Sequence, residues 1–190
     1  MKALVFLSAF SFINEFLPSY REYWKVLITD KKSKPNKIEL EQYYDEVFII
    51  DDLQCKKEVA RILAKVLITR EIESLYTTFE PVVEVAGYLR EKFKLRGMSY
   101  DEALRVRNKH LMKKTAVENG IATAKFSLIK NLKGLYAFIR ETGYPIVIKP
   151  VSGCATGNTF KISSFGSFFN VDVIKMLWRH KEFLAEEFID

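Results

Sequence analysis

The chain has 190 residues, 48% hydrophobic and 28% charged, with 30 Lys and Arg against 24 Asp and Glu for a net charge of +6. It is long enough for one large domain or two small ones with real cores, and too apolar and aromatic for wholesale disorder. Two cysteines, Cys55 and Cys154, and two histidines, His110 and His180, are too far apart in sequence to read as a disulfide scaffold or a structural zinc site, and no glycine precedes Gly87, which removes a GxGxxG turn or a Walker A loop from the first strand–helix unit.

Ala3–Ser8 is a short continuous apolar run, the pattern of a strand covered on both faces. Asn14 and Glu15 interrupt the apolar character that follows, there is no small-residue cleavage pattern, and nothing later approaches ~18 uninterrupted apolar residues. A cytoplasmic chain with reduced cysteines and no membrane partner is therefore expected. Phe12, Phe16, Tyr20 and Tyr23 recur at helical spacing, with Pro18 arguing for an irregular helix over 12–23. Residues 25–29 predict a second strand, ending in Asp30. The basic run Lys31-Lys32-Ser33-Lys34-Pro35-Asn36-Lys37 has no interleaved aromatics, so it reads as a solvated loop before it reads as a nucleic-acid patch, and no nucleic-acid partner is expected. Residues 46–50 predict a third strand. A helix over 56–67 follows, with the Asp51-Asp52 pair suited to capping its start. Residues 74–78 predict a fourth strand, and Pro81 opens a helix carrying Val82, Val85, Ala86 and Leu89 on one face. Strands alternating with helices imply a parallel sheet with function at the strands' carboxyl ends, where Ser8, Asp30, Asp51 and Glu80 stand, each more simply a cap or turn residue.

The composition shifts near Gly97. Ser99 and Glu102 fit a capping box that starts one helix running past Lys109 to about Glu118, with Asn119-Gly120 as its stop. Residues 125–129 predict a strand, 131–141 a helix stopped by Gly143, 145–150 a strong strand, 159–162 a return strand, 171–179 a helix and 183–189 a last strand. Lys149 ends a buried strand and is followed at once by the small-residue loop Val151–Asn158. Small side chains let backbone N–H groups approach an anion closely, and strand packing holds the ammonium as a fixed charge. Taken alone, the loop is equally an ordinary hairpin.

The wider pattern decides between these. Asn108-Lys109-His110-Leu111-Met112-Lys113 before Asn119-Gly120-Ile121, then the run from Gly143 to Pro150, the Ser152–Asn158 loop, and Ala185-Glu186-Glu187-Phe188-Ile189 together resemble the ATP-grasp superfamily, the group of D-alanine–D-alanine ligase and biotin carboxylase. The four motifs fall in the family's order across residues 95–190. The resemblance implies an α/β fold in three pieces. These are a Rossmann-like parallel sheet preceding the grasp over 1–97, a helical linker over 98–122, and the small α+β lid subdomain with its hinge strand over 123–190, with the C-terminal catalytic subdomain absent.

It also implies roles for individual residues. Lys109 and Lys149 resemble the two phosphate-contacting lysines. Ser152, Gly153, Cys154, Ala155, Thr156, Gly157 and Asn158 match the lid over the phosphates. Glu186, Glu187, Phe188 and Ile189 resemble the hinge, where a carboxylate and backbone groups would read the adenine amino edge, with Ile146 and Ile148 in reach of the ring. Asn158 and Cys154 depart from the glycine and alanine common at these positions, and Cys154 reads as small filler. No catalytic residue and no metal ligand of the family is matched in this chain.

The function implied is the ATP-binding part of a ligase that activates a small-molecule carboxylate as an acyl phosphate for attack by an amine. ATP would be its cofactor, and Mg2+ only in the complete enzyme. The 190 residues alone are expected not to turn over, as the N-terminal portion of a larger enzyme, and homodimerisation is left open. The alternative is a non-catalytic nucleotide-binding or regulatory module completed by another chain. A protein-kinase-like site ranks below both, because its glycine loop would precede the lysine and be followed by His-Arg-Asp.

Overall fold

The computed structural model describes residues 1–9, 12–153, 158–170, 172–175 and 182–189. The chain divides into two compact units, Met1–Ala103 and Leu104–Asp190.

The first unit is built on four parallel strands, β1 (Ala3–Leu7), β2 (Trp24–Asp30), β3 (Glu46–Ile50) and β4 (Ile72–Thr77), in the order β3-β2-β1-β4. Every residue of β1 is buried. Successive side chains point to opposite faces, so Ala3, Val5 and Leu7 enter one core while Leu4 and Phe6 enter another with Leu17, Leu27 and Tyr44. The first of these cores is closed by α2 (Lys56–Thr69), through Val59, Leu63 and Val66, and by α3 (Val83–Phe93), through Val85, Ala86 and Leu89. Each valine or leucine among these contributes about 1.5–3 kcal/mol when fully buried. The short α1 (Lys37–Leu40) precedes β3.

Two local expectations are corrected. Residues 12–19 wind as a 3-10 helix containing Pro18, since the ring cannot donate to an α-helical ladder. The Asp51-Asp52 pair does not cap α2. Its N-cap is Cys55, without a side-chain hydrogen bond, and the two carboxylates instead receive Lys31 Nζ at 2.6 Å and Lys32 Nζ at 2.7 Å. The basic run is thus partly neutralised, and the lysine pairs hold both aspartates below the ordinary carboxylate range. Asp30 is buried at the end of β2 and accepts from the Ser33 backbone N–H, a capping role.

The capping box is present: Ser99 N donates to Glu102 Oε2 at 2.8 Å, and Glu102 N donates to Ser99 Oγ at 3.2 Å. The helix it starts is α4 (Tyr100–Arg107), which stops at Asn108. A separate helix, α5 (Lys109–Glu118), begins there, because the Asn108 carboxamide oxygen accepts from the N–H groups of His110 and Leu111, both at 3.0 Å. An N-cap needs a non-helical backbone, so the continuous helix expected over this region is broken in two.

The second unit contains β5 (Phe126–Ile129), α6 (Leu132–Thr142), β6 (Ile146–Pro150), β7 (Phe160–Ile162) and β8 (Phe183–Glu187). All pairings are antiparallel, in the order β5-β8-β6-β7. One sheet face is packed under α6, with Leu135 and Phe138 against Ile129, Ile146, Ile148, Ile162, Phe183 and Ala185. α6 is capped by Asn131, whose side chain accepts from Gly134 N at 2.9 Å, and ends at Gly143 with φ +81°. Of the helix expected over 171–179, residues 172–175 are helical and 171 and 176–179 lie outside the described residues.

Candidate functional site

Strand alternation decides what the second unit's other face can offer. On β6, Ile146, Ile148 and Pro150 are buried, while Val147 and Lys149 are half-buried on the opposite face. On β8 the same rule puts Phe183 and Ala185 in the core and turns Leu184 and Glu186 outward with Lys149. Glu186 is the register partner of Val147 on β6 and of Phe126 on β5. Its side chain, 10% exposed, is therefore walled by two strands.

Lys149 Nζ donates to Glu186 Oε2 at 2.8 Å. A second ammonium, Lys113 Nζ on α5, lies 3.6 Å from Glu186 Oε1. That is an ion-pair separation beyond hydrogen-bond length, and Oε1 is buried without a hydrogen-bond partner. Two cations around one carboxylate leave the cluster with a net positive charge. At an effective dielectric of ~20, one opposite-charge pair at ~4 Å is worth about 4 kcal/mol before desolvation is subtracted. Lys113 Nζ also lies over the Phe126 ring on β5, 5.5 Å from its centroid, and the His110 ring meets the same phenyl edge-on at 5.7 Å.

Lys109, the first residue of α5, is tied to the loop after β6. Its backbone N–H donates to Val151 O at 2.9 Å, and its Nζ donates to Gly153 O at 3.1 Å. Gly153 has φ +152°, where a β-carbon would be strained. Ser152, Gly153 and Asn158 are exposed. Cys154, Ala155, Thr156 and Gly157 lie outside the described residues.

At the end of β8, Glu187 N donates to Lys125 O at 2.9 Å, and the Glu187 carboxylate accepts from Lys125 N at 3.3 Å. Phe188 lies under Lys161, whose Nζ is 3.5 Å from the ring centroid, and Ile189 is exposed.

The sequence-derived candidates thus fall into two groups. Lys109 with Gly153, and Lys149 with Glu186, are brought together. Ile148 is fully buried in the α6 core, as is Ile146, and the β6 residue that shares a face with Lys149 is Val147. Lys113 and Val147 lie within the motifs that carry the resemblance, which assigns a role to neither. Each carried a periodic signal: Lys113 stands one helical turn after Lys109, and Val147 two strand positions before Lys149.

Among the described residues no group of three or more His, Cys, Asp or Glu side chains converges. Magnesium requires an oxygen-rich octahedral shell, and Glu186 is already committed to two lysines, so the residues present do not fit that ion. A cavity of about 220 Å3 lies in the first unit, lined by Ser8, Thr29, Ser33, Lys34, Asn36 and Glu39, none of them a nucleotide candidate. Among the described residues no helix is long and apolar enough to cross a membrane.

No protein-family model matches the chain. In sequence it is 28% identical over 124 residues to the L-arginine-specific L-amino acid ligase of Bacillus subtilis, covering 65% of this chain and 30% of that protein. It is 34% identical over 83 residues to D-alanine–D-alanine ligase B of Clostridium perfringens, covering 43% and 27%. The chain thus spans less than a third of the length of these curated relatives. In structure it resembles an L-amino acid ligase from Bacillus licheniformis, with a TM-score of 0.76 at 17% identity over 100% of this chain and 45% of that one. It also resembles N5-carboxyaminoimidazole synthetase from Staphylococcus aureus in complex with ADP, with a TM-score of 0.75 at 16% identity over 100% and 49%.

Proposed function

We propose that this chain, which resembles ATP-grasp carboxylate–amine ligases in sequence and in fold, binds the adenine nucleotide of an ATP-dependent ligase through its second unit. The observation that carries this reading is the cluster of Lys149 and Lys113 around Glu186, on the sheet face next to the α5–loop contact of Lys109 with Gly153. In the proposed pose, Lys109, Lys149 and the loop amides of Ser152, Gly153 and Asn158 face the phosphates. Glu186 Oε1 and backbone groups of Glu187 and Ile189 face the adenine amino edge, over Val147. A carboxylate oxygen lacking a donor suits an exocyclic amine, and fixed ammonium groups suit phosphate oxygens.

In the complete ligase reaction a substrate carboxylate oxygen attacks the γ-phosphorus, the bond to the β-phosphate oxygen breaks, and an acyl phosphate and ADP result. An amine then adds to the acyl carbon, loses its proton and expels phosphate. The part assigned to this chain is the electrostatic one, offsetting charge on the phosphoryl oxygens through Lys109 and Lys149. We propose that the 190 residues bind nucleotide without turning it over. A steady carboxylate-dependent release of ADP would contradict that, whereas binding without turnover also fits a nucleotide-binding module completed by another chain.

The test is a thermal-shift titration with ADP, ATP and GTP on the wild type and on Lys149→Ala. Ligand at about 100 times its dissociation constant adds ~2.7 kcal/mol of stability. ADP and ATP are expected to stabilise the wild type and GTP not, since guanine presents a carbonyl to Glu186, and Lys149→Ala is expected to abolish the effect. No shift with any nucleotide would refute the assignment.

A further inference from the structure

We infer that Lys113 is a third cationic residue of the nucleotide site, a positioning residue that acts through Glu186 to release Lys149 for phosphate. The inference rests on the nucleotide reading of this face and goes beyond it, because the resemblance assigns no role to Lys113.

Lys109 and Lys113 are four residues apart on α5 and so share one helix face. Lys109 is directed to the loop carbonyl of Gly153, and Lys113 to Glu186. The Lys113 side chain is only 19% exposed, which makes it a costly place for an ammonium with nothing to neutralise. Its Nζ lies over the ring of Phe126, the register partner of Glu186, so the packing of α5 against β5 brings the ammonium to that carboxylate.

Lys149 has two demands on one ammonium. As the structure stands it donates to Glu186 Oε2 at 2.8 Å, and to serve a phosphate it must share or surrender that bond. Were it the carboxylate's sole cation, its departure would leave a buried anion uncompensated, among the more destabilising changes in a protein interior. Lys113 removes that obstacle, because its charge stays beside Glu186 whichever way Lys149 turns. Its 3.6 Å distance also leaves Oε1 without a hydrogen bond, so an adenine amino group can still donate there.

The two ends of the nucleotide should therefore respond differently. In Lys113→Met, Lys149 is held by Glu186 alone, so ADP, which needs the ammonium, is expected to bind about tenfold more weakly. Adenosine, which needs only the hinge and Oε1, is expected to change less than about twofold. K113R keeps the charge and is expected to restore ADP affinity. In an E186Q background, where Lys149 is already released, K113M is expected to have no further effect on ADP.

Calorimetric titration of ADP and adenosine into the folded wild type, K113M, K113R, E186Q and E186Q/K113M reads all of this, with K113Q replacing K113M should the latter not fold. Equal losses for ADP and adenosine, or a K113M effect that persists in E186Q, would overturn the inference in favour of a structural role. ADP binding that depends on Lys149 but not on Lys113 would overturn it while leaving the nucleotide site intact. Absence of ADP binding by the wild type would overturn both.

Discussion

Lys149 and Glu186 meet at 2.8 Å across the β6–β8 pairing, each little exposed and neither in the hydrophobic core beneath the same sheet. Replacing Lys149 by alanine is expected to lower stability by about 1–3 kcal/mol, since Lys113 still covers the abandoned carboxylate. Glu186→Ala leaves two mostly buried ammonium groups facing one another, and is expected to be the more destabilising change. Urea unfolding of the two variants checks the order.

The cap at Asn108 is a lever on Lys109. Its carboxamide accepts the N–H groups of His110 and Leu111, so Asn108→Ala should cost about 0.5–2 kcal/mol. The same change frays the residue that delivers Lys109 to Gly153. Weaker ADP binding, with GTP still inert, is expected in titrations, and Asn108→Asp should retain both stability and binding.

Tyr44 predicts an alkaline limit in the first unit. Its hydroxyl donates to Asn14 Oδ1 at 3.0 Å in a buried setting, and burial pushes its pKa well above the ordinary phenol value. The folded state keeps a proton that the unfolded chain releases, so this contribution is complete below pH ~10 and falls as the pH rises above it. Denaturant midpoints taken from pH 8 to 11 should drop more steeply for the wild type than for Tyr44→Phe. At pH 8 the variant should be about 1 kcal/mol less stable, having left Asn14 unpaired.

Gly87 lies on α3 where α4 begins. A β-carbon there would stand 2.8 Å from both Ala103 Cβ and the Ser99 carbonyl oxygen, one of them backbone. Gly87→Ala gains ~1 kcal/mol of helix preference but must move that backbone, and overpacking of this kind costs about 1–3 kcal/mol. A net loss is expected for alanine and a larger one for valine, read as lowered melting temperatures.

The strands of both units were legible because each is an apolar run with polar punctuation, and Pro145–Pro150 is the plainest of them. What sequence could not settle was direction. Alternation puts Val147, not Ile148, on the face of Lys149, but which of the two faces α6 covers was hidden, because both carry aliphatic residues. The break at Asn108 was hidden because every residue around it tolerates a helix, and only the cap bonds reveal where one stops. Asp51 and Asp52 looked like caps because they precede α2, yet Lys31 and Lys32, just after β2, claim them. The role of Lys113 was hidden for a related reason. Its partner is far along the chain, and no local pattern announces a contact that only the pairing of β8 with β5 creates.

The order β5-β8-β6-β7 sets the last-synthesised strand between two made earlier. A growing chain on the ribosome can finish the parallel sheet of the first unit while β5, α6, β6 and β7 still lack the strand that joins β5 to β6. Domains generally fold as units in the order they emerge. Lys149 and Lys113 are therefore both translated well before the carboxylate that gathers them, and their cluster can form only once Glu186 has left the exit tunnel and β8 has entered its gap.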